Sequence, residues 1–220
     1  MARRLAAPDP ADRAAALALT PVSPETEARL DRFVALLLEW GIVNLVASAS
    51  IPRLWTRHIA DSLQLLPLAP QAKTWVDLGS GGGFPGLVVA CALAEQPGAR
   101  IHLVESHSRK AAFLREAARI IALPAMVHNE RIERFVTRWD QPVDVVTARA
   151  LAPLPRLIDY AAPLLQKGAQ GLFLKGLDVE AELIEATRSW NITADLIPSV
   201  TDPTGRIVVI RALAPRGTQP

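Results

Sequence analysis

Two amphipathic helices are predicted in the first third of the chain. From Ser23, apolar residues recur every three or four positions, and the pair Ser23–Pro24 is typical of a helix start. A second run with helical spacing, "SIPRLWTRHIADSLQLLP", is stopped by Pro67. Its polar side carries Arg57 and Asp61 one turn apart, which predicts an ion pair within that helix.

The pattern of apolar and polar positions changes after residue 70. Short apolar runs then alternate with amphipathic helical stretches, which predicts a parallel β-sheet with helices on both faces. The five predicted strands are "KTWVDLG", "RIHLVES", "AMVHNE", "PVDVVTARA" and "GLFLKG". The last two apolar runs, "ITADLIP" and "RIVVIRAL", are joined only by a short polar turn and are therefore predicted to form an antiparallel hairpin. The expected fold is α/β and Rossmann-like, with a seven-stranded, mostly parallel sheet, a C-terminal antiparallel hairpin and an N-terminal helical extension.

The length of the chain bounds its organisation. With 220 residues, half of them apolar, the chain can build one good hydrophobic core. We expect a flexible N-terminal tail over residues 1–22, a helical region over residues 23–70 and the sheet domain over residues 71–220. No obvious stripe for self-association is visible, so we expect a monomer.

The composition excludes several kinds of site. The single cysteine, Cys91, rules out an intrachain disulfide and a cysteine-cluster metal site, and its mid-helix position predicts a small buried core residue. His58 lies between the two faces of the second helix and is expected to be a packed or capping residue. A net charge of +2 permits a nucleic-acid partner without requiring one. No apolar run approaches the ~20 residues of a membrane span, and we expect a cytoplasmic protein.

A cluster of glycines follows the first predicted strand in "VDLGSGGGFPG", residues 76–86. A glycine turn between a strand and a helix lets a ligand approach the main chain, and the start of the helix offers unpaired N–H groups. ATP and GTP are set aside because no Gly-Lys-Ser/Thr motif is present. Gly81, Gly83 and Gly86 formally satisfy the dinucleotide pattern G-x-G-x-x-G, although so glycine-rich a stretch satisfies many patterns.

Two carboxylates help to choose between the remaining ligands. Asp77 precedes Gly79, Gly81 and Gly83 with the spacing D-x-G-x-G-x-G. A carboxylate there would meet the cationic amine of S-adenosylmethionine and would repel a pyrophosphate. Glu105 ends the second strand, where it can hold both hydroxyls of a ribose, which suits NAD equally. The terminal hairpin favours S-adenosylmethionine, because a dinucleotide domain normally continues with another helix-linked half.

Several stretches together resemble the RsmG (GidB) family. They are "WGIVNLVAS", "RHIADSLQLLP", "VDLGSGGGFPGLVVA", "HLVESHSRKAAFLREA", "NERIERF", "VTARALAPL", "FLKG" and "GRIVVIRAL", and the resemblance runs from about Ser23 to Leu213. It implies a class I methyltransferase that moves a methyl group from S-adenosylmethionine to N7 of one guanine in 16S ribosomal RNA, in the small ribosomal subunit near the decoding centre. Because N7 carries a lone pair and no proton, the reaction needs alignment of the reactants and no general base.

The resemblance also implies roles for individual residues. Gly79 and Phe84 are expected in the cofactor loop, and Ile132 and Glu133 beside the adenine. Arg149, at the end of the fourth strand, is expected to reach the cofactor or the reacting base.

Basic side chains give alternatives that stay open. Arg149 could instead form a surface ion pair with a residue such as Asp144. Lys175 could contact RNA phosphate or simply sit at a strand end. A run of charges is usually a solvated face, yet a phosphate-binding patch is plausible here. The residues proposed for RNA binding are Arg57, Arg109, Lys110, Arg131 and Lys175.

Three other functions compete with this one. They are a methyltransferase of the same fold with another substrate, an NAD-binding oxidoreductase, and a non-catalytic RNA-binding or assembly factor that retains a cofactor pocket.

Overall fold

The protein is built around one central sheet. The computed structural model describes residues 7–40 and 45–217, so residues 41–44 of the "WGIVNLVAS" stretch lie outside the described residues. The seven strands follow the order β3-β2-β1-β4-β5-β7-β6. Strands β1 to β5 pair in parallel, and β7 pairs antiparallel with both β5 and β6, which confirms the predicted fold class. The strands are β1 (Thr74–Leu78), β2 (Arg100–Val104), β3 (Ala125–His128), β4 (Val145–Arg149), β5 (Gln170–Lys175), β6 (Trp190–Pro198) and β7 (Arg206–Pro215).

Helices cover both faces of this sheet, as predicted. One hydrophobic core lies between the sheet and α2, α4 and α5, and a second lies between the sheet and α6, α7 and α8. The α-helices are α1 (Pro10–Leu19), α2 (Pro24–Glu39), α3 (Asp61–Leu63), α4 (Gly86–Ala92), α5 (Ser108–Ile121), α6 (Ile132–Arg138), α7 (Leu154–Leu165) and α8 (Val179–Ala186).

The burial of individual strands and helices explains their sequence patterns. Strand β1 is central and covered on both faces, so Trp75, Val76 and Leu78 are all buried although they alternate between the two faces. Helix α5 is covered on one side only. It buries Phe113 and Leu114 and turns its arginines to solvent, as its 3.6-residue periodicity predicts.

The N-terminal region differs from the prediction. Residues 10–19, predicted as part of a flexible tail, form helix α1. The carboxylate of Asp12 accepts hydrogen bonds from the backbone N–H groups of Trp55 and Thr56, at 2.9 and 3.2 Å. Arg13 forms ion pairs with α2. The helix is therefore held by partners that are distant in sequence, which its own composition does not reveal.

The second predicted helix is not a regular α-helix. It consists of a 3₁₀ turn over Ser48–Arg53, a π-helical stretch over Trp55–Ala60, the short helix α3 and a further 3₁₀ turn over Leu66–Leu68. One end of its predicted polar side is covered, since the Gln64 side chain is buried and its Oε1 accepts a hydrogen bond from the N–H of Val200 at 2.9 Å. The predicted Arg57–Asp61 ion pair is wrong, because Asp61 pairs instead with Arg149 at 3.4 Å.

Some structural features bear on the excluded functions. Cys91 is buried in α4, and burial raises the pKa of its thiol to about 12, which confirms the predicted core role. Within residues 7–40 and 45–217, no helix is long and apolar enough to cross a membrane. The same residues contain no cluster of three or more His, Cys, Asp or Glu side chains that could hold a metal ion.

Candidate functional site

A cavity of about 580 Å³ opens at the carboxyl ends of β1, β2 and β4. Its wall is built by the glycine loop, the start of α6, the segment after β4 and the first turns of α7. This is the edge of a parallel sheet at which ligands are expected. The predicted site residues that line it are Gly79, Gly81, Phe84, Glu105, Ile132, Glu133 and Arg149, together with Lys110 and Arg131.

The glycine loop uses its glycines in two ways. Gly79, Gly81 and Gly83 have φ values of +71°, +53° and +94°, which residues with a Cβ adopt only at a cost. Gly82 has no such φ value, but a Cβ on it would lie 2.7 Å from the carbonyl oxygen of Leu45. The loop therefore needs glycine both for its turn and for its close contact with the N-terminal region.

Asp77 lies beneath the loop and does not line the cavity. It is 1 % exposed, and its Oδ2 accepts a hydrogen bond from the N–H of Gly86 at 3.1 Å, while Oδ1 accepts one from Thr147 Oγ1 at 3.0 Å. The expectation that it meets the amine of the cofactor directly is therefore not supported by its position. Asp77 instead fixes the start of α4 and so holds the glycine loop.

The burial of Asp77 predicts a specific dependence of stability on pH. Burial raises the pKa of this carboxyl to about 6 from its ordinary value of 3.8. The folded state thus holds the proton more tightly than the unfolded state. The resulting stabilisation is fully present below pH 3.8 and is lost as the pH rises through about 6.

Asp77→Asn should remove this pH dependence. Between pH 4 and 7, the free energy of unfolding of the wild type should fall by ~2 kcal/mol relative to that of the variant. Urea unfolding of both proteins at several pH values measures this difference. A difference that stays constant across the range would contradict the assignment.

Glu105 closes the cavity at the end of β2. Its Oε2 accepts a hydrogen bond from the N–H of Gly81 at 3.0 Å, and its Oε1 accepts one from the N–H of His107 at 2.7 Å. Each oxygen keeps a second lone pair for a ligand hydroxyl. Ile132 and Glu133 line the cavity at the start of α6.

Arg149 ends β4 and is mostly buried, with 17 % of its side chain exposed. Its guanidinium lies 5.1 Å from the ring centre of Phe84 and contacts the carbonyl oxygen of Arg57, Asp61 Oδ2 and His58 Nδ1. Burial lowers the pKa of Arg149, and the carboxylate of Asp61 opposes that shift, so the group stays cationic. The cavity therefore has a fixed positive charge at this wall.

Comparison with known sequences identifies the family. Residues 26–214 match the family described as rRNA small subunit methyltransferase G, GidB. The chain belongs to this family. A relative named ribosomal RNA small subunit methyltransferase G from Bradyrhizobium sp. (strain BTAi1) is 64% identical over 201 residues, covering 91% of this chain and 90% of that protein. Another of the same name, from Rhodopseudomonas palustris (strain BisB18), is 58% identical over 207 residues and covers 94% of this chain and 88% of its own length.

The fold of this GidB family member is shared with more distant solved structures. An O-methyltransferase from Bacillus cereus in complex with SAH has a TM-score of 0.59 at 14% identity, covering 92% of this chain and 97% of that one. Cofactor-bound Rv0187 from MTB has a TM-score of 0.58 at 15% identity, and the match covers 94% of this chain and 98% of that one. Such low identities bear on the fold alone, and they agree with a class I methyltransferase architecture.

Four of the basic residues predicted to face RNA in this GidB family member fall into two groups, inside and outside the cavity. Lys110 and Arg131 line the cavity. Arg57 and Arg109 are exposed but are not part of the cavity wall. The first pair is placed to contact a ligand inside the cavity, whereas the second pair can contact only a partner that extends beyond it.

Two further charged side chains of this GidB family member already have partners within the protein. Lys175 Nζ lies 2.7 Å from Glu182 Oε2, which favours the strand-end role over phosphate binding. Asp144, the alternative partner considered for Arg149, accepts hydrogen bonds from the N–H groups of Lys73 and Thr74, both at 2.8 Å.

Sequence reasoning missed Arg156 and Tyr160, which line the same cavity from α7. Arg156 Nε donates a hydrogen bond to the Tyr160 hydroxyl at 2.8 Å, and the guanidinium lies 5.3 Å from the ring centre. The available signal was their spacing of four residues on the helix that follows β4, together with Tyr160 being the only tyrosine of the chain.

Proposed function

We propose that this chain transfers a methyl group from S-adenosylmethionine to N7 of a guanine in 16S ribosomal RNA, within the small ribosomal subunit near the decoding centre. The observation that supports this most is the family match over residues 26–214, which spans the glycine-lined cavity and Arg149. We further propose that the enzyme acts in the cytoplasm and as a monomer.

The residues of the cavity fit S-adenosylmethionine. The positive φ values of Gly79 and Gly81 allow the ligand to lie against the main chain. The remaining lone pairs of Glu105 suit ribose hydroxyls, and Ile132 offers an apolar contact for adenine. When bound, S-adenosylmethionine supplies an electrophilic methyl group on its sulfonium.

The task of the chain is to orient the acceptor base. The cavity side chains supply cations and an aromatic surface, which can position a base. Positioning is sufficient for N7, because this atom has no proton to be removed. Lys110, Arg131 and Arg156 can hold RNA phosphate at the rim, and Tyr160 gives an aromatic face for a base. The fixed charge of Arg149 lies deeper, where it can contact a ligand oxygen.

The direct test is methylation of small subunits from cells that lack this protein. The subunits are incubated with the protein and methyl-labelled S-adenosylmethionine, and 7-methylguanine is mapped by chemical strand scission. We expect one labelled guanine in the decoding-region loop. Naked 16S ribosomal RNA in a parallel reaction shows whether the assembled particle is required.

Calorimetry with S-adenosylhomocysteine and with NAD serves as the control for the cofactor. Binding of S-adenosylhomocysteine without label on RNA would keep the cofactor and discard the ribosomal substrate. Binding of NAD alone would overturn the proposed reaction and favour the oxidoreductase.

A further inference from the structure

Arg149 is held by a chain of hydrogen bonds that begins in the N-terminal helical segment. Its Nη2 lies 2.6 Å from Nδ1 of His58, and Nε2 of His58 lies 2.9 Å from Oγ of Ser50. The Ser50 hydroxyl in turn donates to the carbonyl oxygen of Ala47 at 2.7 Å. The imidazole is buried and packs on the ring of Phe84, with ring centres 4.9 Å apart.

The donors along this chain fix the tautomer of His58. A guanidinium can only donate, so Nδ1 must accept and carries no proton. Nε2 must therefore carry the proton and donate to Ser50, whose own proton is committed to Ala47. Burial and the nearby charge of Arg149 lower the pKa of His58 to about 3, so the ring stays neutral at physiological pH.

A second set of hydrogen bonds links Arg149 to the C-terminal hairpin through Asp61. Asp61 Oδ2 accepts from Arg149 Nη1 at 3.4 Å, and its Oδ1 accepts from Thr201 Oγ1 at 2.9 Å and from Gln64 Nε2 at 2.8 Å. Thr201 lies in the turn between β6 and β7. The same turn is tied down by the hydrogen bond from the N–H of Val200 to Gln64.

These contacts leave part of the guanidinium for the cavity. Nη1 donates to the carbonyl oxygen of Arg57 and to Asp61, and Nη2 donates to His58. Of the five N–H bonds of an arginine, the Nε–H and one N–H on Nη2 then have no acceptor among the described residues. Because the other three are anchored, these two donors have a fixed direction at the cavity wall.

We propose that His58 and Asp61 are positioning residues for the methyl transfer, because together they orient the guanidinium of Arg149 toward a ligand oxygen in the cavity. This inference rests on the proposed function, since it assigns these two side chains a part in that same reaction. His58 acts as an acceptor at Nδ1 and takes no part in proton transfer. Asp61 supplies the countercharge and is itself held by the hairpin turn through Thr201.

Substitution can test the roles of the two imidazole nitrogens separately. His58→Asn places an amide oxygen near the position of Nδ1 and keeps the acceptor for Arg149. His58→Gln reaches instead toward the position of Nε2 and keeps only the contact with Ser50. Both variants lose the same ring contact with Phe84, so they form a matched pair for packing.

The measurement is kcat/KM for methyl transfer to small subunits, with the thermal midpoint of each variant recorded. We expect His58→Asn to stay within about threefold of the wild type and His58→Gln to fall by about tenfold or more. Equal values for the two variants, whether both high or both low, would overturn the proposal. Thr201→Val should lower kcat/KM by about threefold and Thr201→Ser should restore it. Equal activity of these two variants would show that the hydrogen bond from Thr201 to Asp61 has no part in positioning Arg149.

A spectroscopic readout tests the assignment without activity. In ¹⁵N-resolved spectra of the imidazole groups, His58 should show an unprotonated Nδ1 and a protonated Nε2 at neutral pH. The opposite tautomer would contradict the hydrogen-bond directions. If the wild type transfers no methyl group, the proposed function fails, and the tautomer still decides whether Nδ1 is the acceptor for Arg149.

Discussion

Replacing Arg149 with alanine is expected to lower kcat/KM for methyl transfer by about 100-fold. The guanidinium lies at the cavity wall on the ring of Phe84, and its anchored geometry leaves two N–H groups for a ligand oxygen. A hydrogen bond from a charged donor contributes about 1.5–3 kcal/mol, and loss of one or two of them accounts for an effect of this size. Single-turnover methylation of small subunits measures it.

Arg149→Lys and Arg211→Ala are the controls for this experiment. Lysine keeps a positive charge beside Asp61 but lacks the rigid fork of N–H groups, so we expect an activity about tenfold below the wild type. Arg211 is an exposed arginine on β7 that pairs with Asp195 at 2.8 Å, and its removal should leave kcat/KM unchanged. If Arg149→Ala stays within threefold of the wild type, Arg149 has no part in the reaction.

Replacing Gly86 with alanine is expected to destabilise the protein by about 3 kcal/mol. Gly86 is the first residue of α4, and a Cβ there would lie 2.3 Å from Leu103 Cδ2 and 2.6 Å from Asp77 Oδ2. Both neighbours are buried, so neither can move into solvent. The added methyl group would also push the Asp77 carboxylate away from the N–H that it accepts from, leaving a buried charge poorly solvated.

The thermal midpoint gives the measurement for Gly86→Ala. A loss of this size should lower Tm by roughly 6–12 °C in a chain of this length. Gly176→Ala is the matched control, because no described atom lies within 4 Å of the position its Cβ would take. Its effect should stay below about 0.5 kcal/mol. Equal midpoints for the two variants would show that α4 can shift without cost.

The sheet domain was predictable because its signals are local. Strands such as β1 and β4 are buried on both faces and appear as short, mainly apolar runs, and the helices between them keep a regular period. The hairpin was predictable because a short polar turn cannot connect parallel neighbours. The N-terminal region was not predictable in the same way. The N–H groups of Trp55 and Thr56 are bound by Asp12, more than 40 residues earlier in the chain, and no local pattern marks that contact.

The candidate site was predictable in position but not in its contacts. The glycine loop, Glu105 and Arg149 are marked by their places at strand ends, and all of them line the cavity. The sequence places Asp77 at a strand end too, yet it does not say whether the carboxylate faces the ligand or the helix behind the loop. The partner of Arg149 was also hidden, since Asp61 is 88 residues away along the chain.

The strand order of the sheet sets the order in which a newly made chain can complete this site. The last strand, β7, lies between β5 and β6, so β6 has no place in the sheet until β7 has been synthesised. Thr201, which holds Asp61, lies in the turn just before β7. A nascent chain that ends before residue 206 therefore has its glycine loop but lacks β7. Without β7, the turn that carries Thr201 is not fixed, and Thr201 cannot hold Asp61 against Arg149. Such long-range closure slows folding, and it delays formation of the complete site until β7 has been synthesised.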